Sequence, residues 1–118
     1  MREIKFRGIG TNGQWVYGDL KQLGSKRYII PTNGWALQKE YLVKPESVGQ
    51  LTGLLDKAGV EIYEGDICRD KPGNQFRIIY SEYQFKPDRS FMTLNGLLKD
   101  IEVISNVYET PELLKETK

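Results

Sequence analysis

The segment Glu61-Ile62-Tyr63-Glu64-Gly65-Asp66-Ile67 gathers three carboxylates around a glycine. Two chemistries are open to such a cluster. Glu61, Glu64 and Asp66 could offer oxygen ligands to a divalent cation. Alternatively, Glu64 and Asp66 could serve as a general acid and base. A structural reading competes with both. Gly65 supplies a kink or bulge where a strand turns, and Asp66 accepts backbone N–H groups that the kink leaves without a strand partner. The structural reading is the stronger, because single carboxylates at chain corners are common and no other polar groups converge on this segment in the sequence. Glu64, Gly65 and Asp66 are therefore expected to form a corner motif. No catalytic, metal-binding or cofactor-binding residue is assigned.

The chain contains no histidine. That removes the commonest general acid and base, the commonest metal ligand and the usual partner of a serine or cysteine nucleophile. The expectation is a protein that is not an enzyme, with a carboxylate- and metal-dependent hydrolase at the Glu64–Asp66 corner as a distant alternative. Cys68 is the single cysteine, so an internal disulfide and a paired-cysteine zinc site are both excluded. Placed beside Ile67 in an apolar run, it reads as a buried, inert thiol. Gln50 and Thr52 would share one face of a strand. They could line a ligand groove, but a solvated face is the simpler expectation. Tyr63, Tyr80, Tyr83 and Tyr108 read as strand residues whose polar tip sits at an edge or interface.

Basic and aromatic side chains interleave near the N-terminus: Arg2, Lys5, Arg7, Trp15, Tyr17, Lys21, Lys26, Arg27 and Tyr28. Cations beside aromatic rings are the ingredients of single-strand nucleic-acid binding. The competing reading builds a core or subunit interface from the aromatics and leaves a solvated basic edge. Lys5, Arg7, Trp15, Tyr17, Lys26 and Arg27 are accordingly the candidate contacts, to nucleic acid or to a protein partner. The net charge of +1 gives no global field to draw a polyanion, which favours the protein interface.

These residues need strands to position them, and the turn chemistry supplies strands. Asn12-Gly13 between Ile4-Lys5-Phe6-Arg7-Gly8 and Trp15-Val16-Tyr17 signals a hairpin over residues 3–19. Leu20 to Arg27 reads as a polar connection with a strand end. Tyr28-Ile29-Ile30 is a strand stopped by Pro31, and Thr32-Asn33-Gly34 offers a second hairpin turn towards Trp35-Ala36-Leu37. Tyr41-Leu42-Val43 is a strand broken by Pro45. Strands follow at 48–53, 60–63, 66–69, 76–80 and 101–108. The turns between them are Asp56-Lys57-Ala58-Gly59 and Asp70-Lys71-Pro72-Gly73. Residues 81–100 are the least legible, with Phe85 and the run Phe91 to Leu94 as short strand candidates. Thr110, Pro111 and Glu112 predict the start of one short C-terminal helix.

The fold class expected is mainly β, a β-rich α+β chain of short antiparallel strands with a small-barrel-like C-terminal part. With 118 residues it is sized for a single domain, with possible sub-lobes at 1–44 and 45–118. Twelve glycines and only two methionines suit a turn-rich β protein. No signal peptide or long apolar run is visible, so a bacterial cytoplasm is the expected location and no membrane partner is expected.

Three stretches also carry a resemblance. They are Met1-Arg2-Glu3-Ile4-Lys5-Phe6-Arg7 with Tyr17-Gly18-Asp19-Leu20; Val48-Gly49-Gln50-Leu51-Thr52-Gly53-Leu54 with Asp56 to Ile67; and Ile101-Glu102-Val103-Ile104-Ser105-Asn106-Val107-Tyr108-Glu109-Thr110-Pro111-Glu112-Leu113-Leu114. Together they resemble the YopX family, encoded in phages and prophages of mostly Gram-positive bacteria. Ser105 departs from the glycine common before Asn106 in that family, which puts the local backbone in doubt. The resemblance implies a small, mainly β phage accessory protein that self-associates, and it brings no catalytic motif to carry over.

Overall fold

The structure is a computed structural model and describes residues 4–31, 39–70, 73–81, 84–88 and 101–110. It is built from antiparallel strands, and the chain divides into two compact units, Met1–Leu51 and Thr52–Lys118.

In the first unit, β1 (Phe6–Ile9) and β2 (Trp15–Leu23) form the hairpin that Asn12-Gly13 signals, with Phe6 opposite Gly18 and Ile9 opposite Trp15. Asn12 Oδ1 accepts the Gln14 N–H at 3.1 Å, and Gly10 N–H donates to Gln14 O at 2.9 Å. These bonds satisfy the backbone groups of the loop that the ladder cannot reach. β2 then runs on to Leu23 and turns through Gly24-Ser25 into β3 (Lys26–Ile30), with Leu23 opposite Lys26. This corrects the reading of residues 20–27 as a polar connection, since most of that stretch is strand. The far end of the hairpin is exposed on both faces, Leu23 included, which hid the alternation. Gly24, at φ 62°, supplies the positive φ that two-residue hairpin turns require.

β4 (Tyr41–Val43) pairs with β3, and β5 (Gly49–Leu55) begins alongside β1, giving the order β4-β3-β2-β1-β5 in this unit. The end of β4 also returns to the end of β1. Val43 bridges Gly10, and Lys44 N–H donates to Ile9 O at 2.9 Å. The four strands thus close on themselves, which removes an exposed edge. A one-turn 3₁₀ segment, Pro45–Ser47, secures the junction. Ser47 Oγ accepts the Ile9 N–H at 2.8 Å and donates to Lys44 O at 2.6 Å. Ile29, Val43 and Leu51 are buried in this unit.

The second unit holds the rest of β5 beside β6 (Glu61–Tyr63), and a sheet in the order β10-β7-β8-β9. Its strands are β7 (Asp66–Arg69), β8 (Gln75–Ser81), β9 (Gln84–Pro87) and β10 (Glu102–Asn106). Ile62, Cys68, Phe76, Ile78, Phe85 and Ile101 form one buried cluster, with Leu54 and Val103 packed against it. β9 places Phe85 in a strand, edge-to-face with Tyr80 at 4.9 Å. Between Val103 and Ser105 the pairing of β10 with β7 shifts by one residue, a bulge. Ser105 lies opposite Ile67 just after it, and its hydroxyl meets that of Thr110. The strand stops at Asn106, short of the expected Tyr108. Asn106 Oδ1 accepts the N–H groups of Tyr108 and Glu109, both at 3.0 Å, and pulls the chain into a turn.

The second hairpin turn at 32–37, the strand candidate from Phe91 to Leu94 and the C-terminal helix lie outside the described residues, as do Arg2 and Tyr83. Among the described residues no helix is long and apolar enough to cross a membrane.

Candidate functional site

Glu64-Gly65 connects β6 to β7, and the corner is held from several sides. Gly65 sits at φ 93°, where a side chain would be strained. Its N–H donates to Ile78 O and its carbonyl accepts the Val107 N–H, both at 2.9 Å. Asp66 is buried and its Oδ2 accepts the Tyr63 N–H at 2.7 Å. A carboxylate used this way closes a turn. Glu61 and Glu64 are half-buried, and among the described residues no group of three or more histidine, cysteine, aspartate or glutamate side chains is placed to hold a metal ion.

A second carboxylate, which the sequence reading took only as part of a turn, organises more of this unit. Asp56 Oδ1 accepts the N–H groups of Ala58 at 2.8 Å and Val60 at 2.9 Å, and Oδ2 accepts that of Val103 at 2.9 Å. Burial pushes the Asp56 carboxyl up. The three donors, from Val103, Val60 and Ala58, and the nearby Lys57 charge outweigh burial and hold it below its ordinary value. Cys68 is fully buried, and its thiol is pushed far up by burial first and then by the charges of Asp66 and Asp56. It is not poised as a nucleophile. Thr52 overturns the expectation of a solvated face. It is buried, its Oγ1 donates to Ile62 O at 2.8 Å, and it accepts the Leu54 N–H at 3.1 Å. Gly53 follows at φ 85°, so strict alternation fails there and Thr52 turns inward. Gln50, opposite Phe6, is half-buried.

The chemistry of the first unit lies on its hairpins. Arg7 is directly opposite Tyr17, and Ile9 opposite Trp15, so these four side chains share a face. On the same face β2 continues with Lys21, opposite Tyr28. Arg7 is buried, its guanidinium 4.5 Å from the centre of the Trp15 ring. The Lys21 ammonium lies 5.9 Å from the Tyr28 ring centre and contacts Glu40 at 3.0 and 3.1 Å. Lys26 is at the distal turn and exposed. Arg27, opposite Gln22 and Val43, belongs to the other face, and its guanidinium donates to the carbonyls of Gly24 and Lys26. Of the six candidate contacts, the fold brings Arg7, Trp15 and Tyr17 together, keeps half-buried Lys5 just before β1, sets Lys26 at the far end and turns Arg27 away.

Closure of β4 onto β1 creates something the sequence did not signal. The β1–β2 loop and the chain leading into β4 enclose an open cleft of about 630 Å³, walled by Trp15, Tyr17, Tyr41 and Leu42, with Asn12 and Glu40 at its rim. Tyr41 and Leu42 were legible only as strand formers. Their place beside Trp15 depends on a contact between residues more than thirty positions apart in the chain.

A family model described as YopX protein matches residues 5–115. The chain belongs to the YopX family. The match spans both units of this YopX chain and includes the corner motif and the cleft. No curated protein matches it. Among solved structures, this chain is similar to the crystal structure of protein EF1440 from Enterococcus faecalis. The two are 24% identical, with a TM-score of 0.64, and the likeness covers 97% of this chain and 99% of that one. At that identity the likeness shows a shared fold.

Proposed function

We propose that this YopX-family chain is a non-enzymatic interaction protein, a phage or prophage accessory factor that self-associates through its N-terminal unit. The observation that carries the reading is the convergence of Tyr17, Tyr41 and Leu42 on one open cleft, at 45%, 42% and 40% exposure respectively. Large apolar side chains gathered on a surface are typical of contact sites, and aromatic residues are enriched at the centre of protein interfaces. Neither carboxylate hub competes for a catalytic role, since Asp56 and Asp66 both bind backbone.

Sedimentation velocity of the full chain from ~10 to ~300 μM, a range that brackets weak to moderate dimers, tests the reading. Association should rise with concentration and fall in a Tyr17→Ser/Leu42→Ser variant that keeps its melting temperature within a few degrees. A single monomeric species over the whole range would overturn it.

The alternative, nucleic-acid binding by the basic-aromatic face, is supported less well. Arg7 is packed against Trp15, Lys21 is on Glu40 and Arg27 is on the opposite face.

A further inference from the structure

We propose that the cleft of the N-terminal unit binds an organic cation of the alkylammonium type. The inference rests on the binding reading above and names the chemistry the site selects. Three rings, Trp15, Tyr17 and Tyr41, line one open space. The face of an aromatic ring attracts cations through its quadrupole, and clustered rings are the common receptor for quaternary ammonium groups. Rings of this unit are already used in that way. Arg7 stacks on Trp15 at 4.5 Å and Lys21 lies 5.9 Å from the Tyr28 centre.

The charge of the lining points in the same direction. Among the described residues that form the cleft, Glu40 is the one carboxylate side chain, and neither lysine nor arginine belongs to the wall. An anion such as phosphate would meet a carboxylate and ring faces in the wall, with Lys21 on Glu40 and Arg7 on Trp15 standing outside the lining. A cation would meet both complements. Glu40 carries the Lys21 ammonium at 3.0 Å, yet both side chains are 42% exposed. A pair so exposed is weak and exchangeable. Lys21 thus acts as an internal competitor for the carboxylate that an entering cation would use. Asn12 and Gln14 at the rim are neutral and can hydrogen-bond a polar tail such as a hydroxyl.

The test uses the intact chain and two probes of nearly identical shape, choline and its uncharged isostere 3,3-dimethyl-1-butanol. Amide chemical shifts are followed at matched ionic strength to about 50 mM probe, because small cations in shallow cages bind weakly. Choline should give saturable shifts at residues of the β1–β2 loop and β4, with the neutral isostere at least about fivefold weaker, since one ring face contributes a factor of roughly two to five. Glu40→Gln should weaken choline and leave the isostere unchanged, whereas Lys21→Gln should tighten choline. The opposite signs separate recognition of charge from general damage to the fold. Equal binding of both probes overturns the cation assignment and leaves an apolar binding cleft. Absence of saturation with either, or indifference to both substitutions, also overturns it. Both proposals use the same cleft, so a second copy seated there would compete with choline; sedimentation reads self-association and the choline–isostere difference reads the charge, which keeps their failures distinguishable.

Discussion

The residue with the widest structural reach is Asp56. Its two oxygens accept three backbone N–H groups, two inside its own turn and one from Val103 on the strand entry. Because its pKa is lowered on folding, its contribution to stability is complete above the ordinary carboxylate value of 3.8. It is lost as pH falls below that value and through the lower folded one. Asp56→Asn keeps an acceptor for Ala58 and Val60 but sets an amide N–H₂ against the Val103 N–H. Leaving that part-buried donor unmet should cost roughly 1 kcal/mol at neutral pH, the low end of the range for a buried one. Urea midpoints at pH 7 and across the acid range check both points. The variant should start lower and lose less on acidification, and a variant with an acid limb as steep as the wild type would remove Asp56 from this role. The Thr52 hydroxyl and the Asp66 carboxylate play the same kind of part on a smaller scale. Each serves a backbone group that a glycine-induced irregularity next to it leaves outside the regular ladder.

At the scale of elements, the decisive contact is the return of β4 to β1. It needs close approach, and Gly8 permits it, since a Cβ at that position would lie 2.8 Å from Val43 Cγ2 and 2.9 Å from its Cβ. Gly8→Ala should therefore push β4 away and destabilise the first unit by roughly 1–3 kcal/mol, the usual range for overpacking. In a Val43→Ala background the same change should cost less, because the methyl contacts at 2.8 and 3.2 Å are gone, and the Val43 Cβ at 2.9 Å leaves a remainder. A double-mutant cycle on thermal or chemical denaturation measures this coupling, and additive effects would show that the close approach does not matter. The closure also explains why the cleft exists. It holds the β1–β2 loop beside Tyr41 and Leu42, which gives the aromatic cluster a wall on each side. In the second unit the bulge at Val103–Ser105 and the Asn106 turn end β10 in a similar way, with side chains taking over from the ladder.

For the whole molecule, charge bears on the expectation for a polyanionic partner. The net charge is +1, and two of the candidate basic contacts are engaged internally, Arg7 on the Trp15 ring and Arg27 on the carbonyls of Gly24 and Lys26. Single-stranded DNA should not be retarded in a gel at ~50 mM salt, where phosphate contacts are near their strongest. A salt-dependent shift abolished by Lys5→Ala with Arg7→Ala would instead restore the nucleic-acid reading. The resemblance seen in three stretches of sequence extends, through the family match, over residues 5–115.

The strands, most of the turns, the glycine corner and the buried cysteine were legible in the sequence. Each is written in local chemistry: β-branched and aromatic runs, Asn-Gly and Gly-Asp pairs, and an apolar neighbourhood around Cys68. The extension of β2 through Leu23 was not, since a hairpin tip solvated on both faces carries no alternation to read. Nor was the inward turn of Thr52, because the positive φ of Gly53 breaks the two-residue period on which a face assignment depends. The site itself was half visible. Trp15, Tyr17 and Arg7 share a face by strand periodicity alone. The burial of Arg7 on Trp15, the loss of Arg27 to the opposite face and the arrival of Tyr41, Leu42 and Glu40 follow from pairings between distant segments. Local sequence determines which residues form strands and where they turn. Which strand lies beside which, and so which rings meet around one cleft, is set by burial and hydrogen bonding summed over the whole unit, and only the tertiary structure decides it.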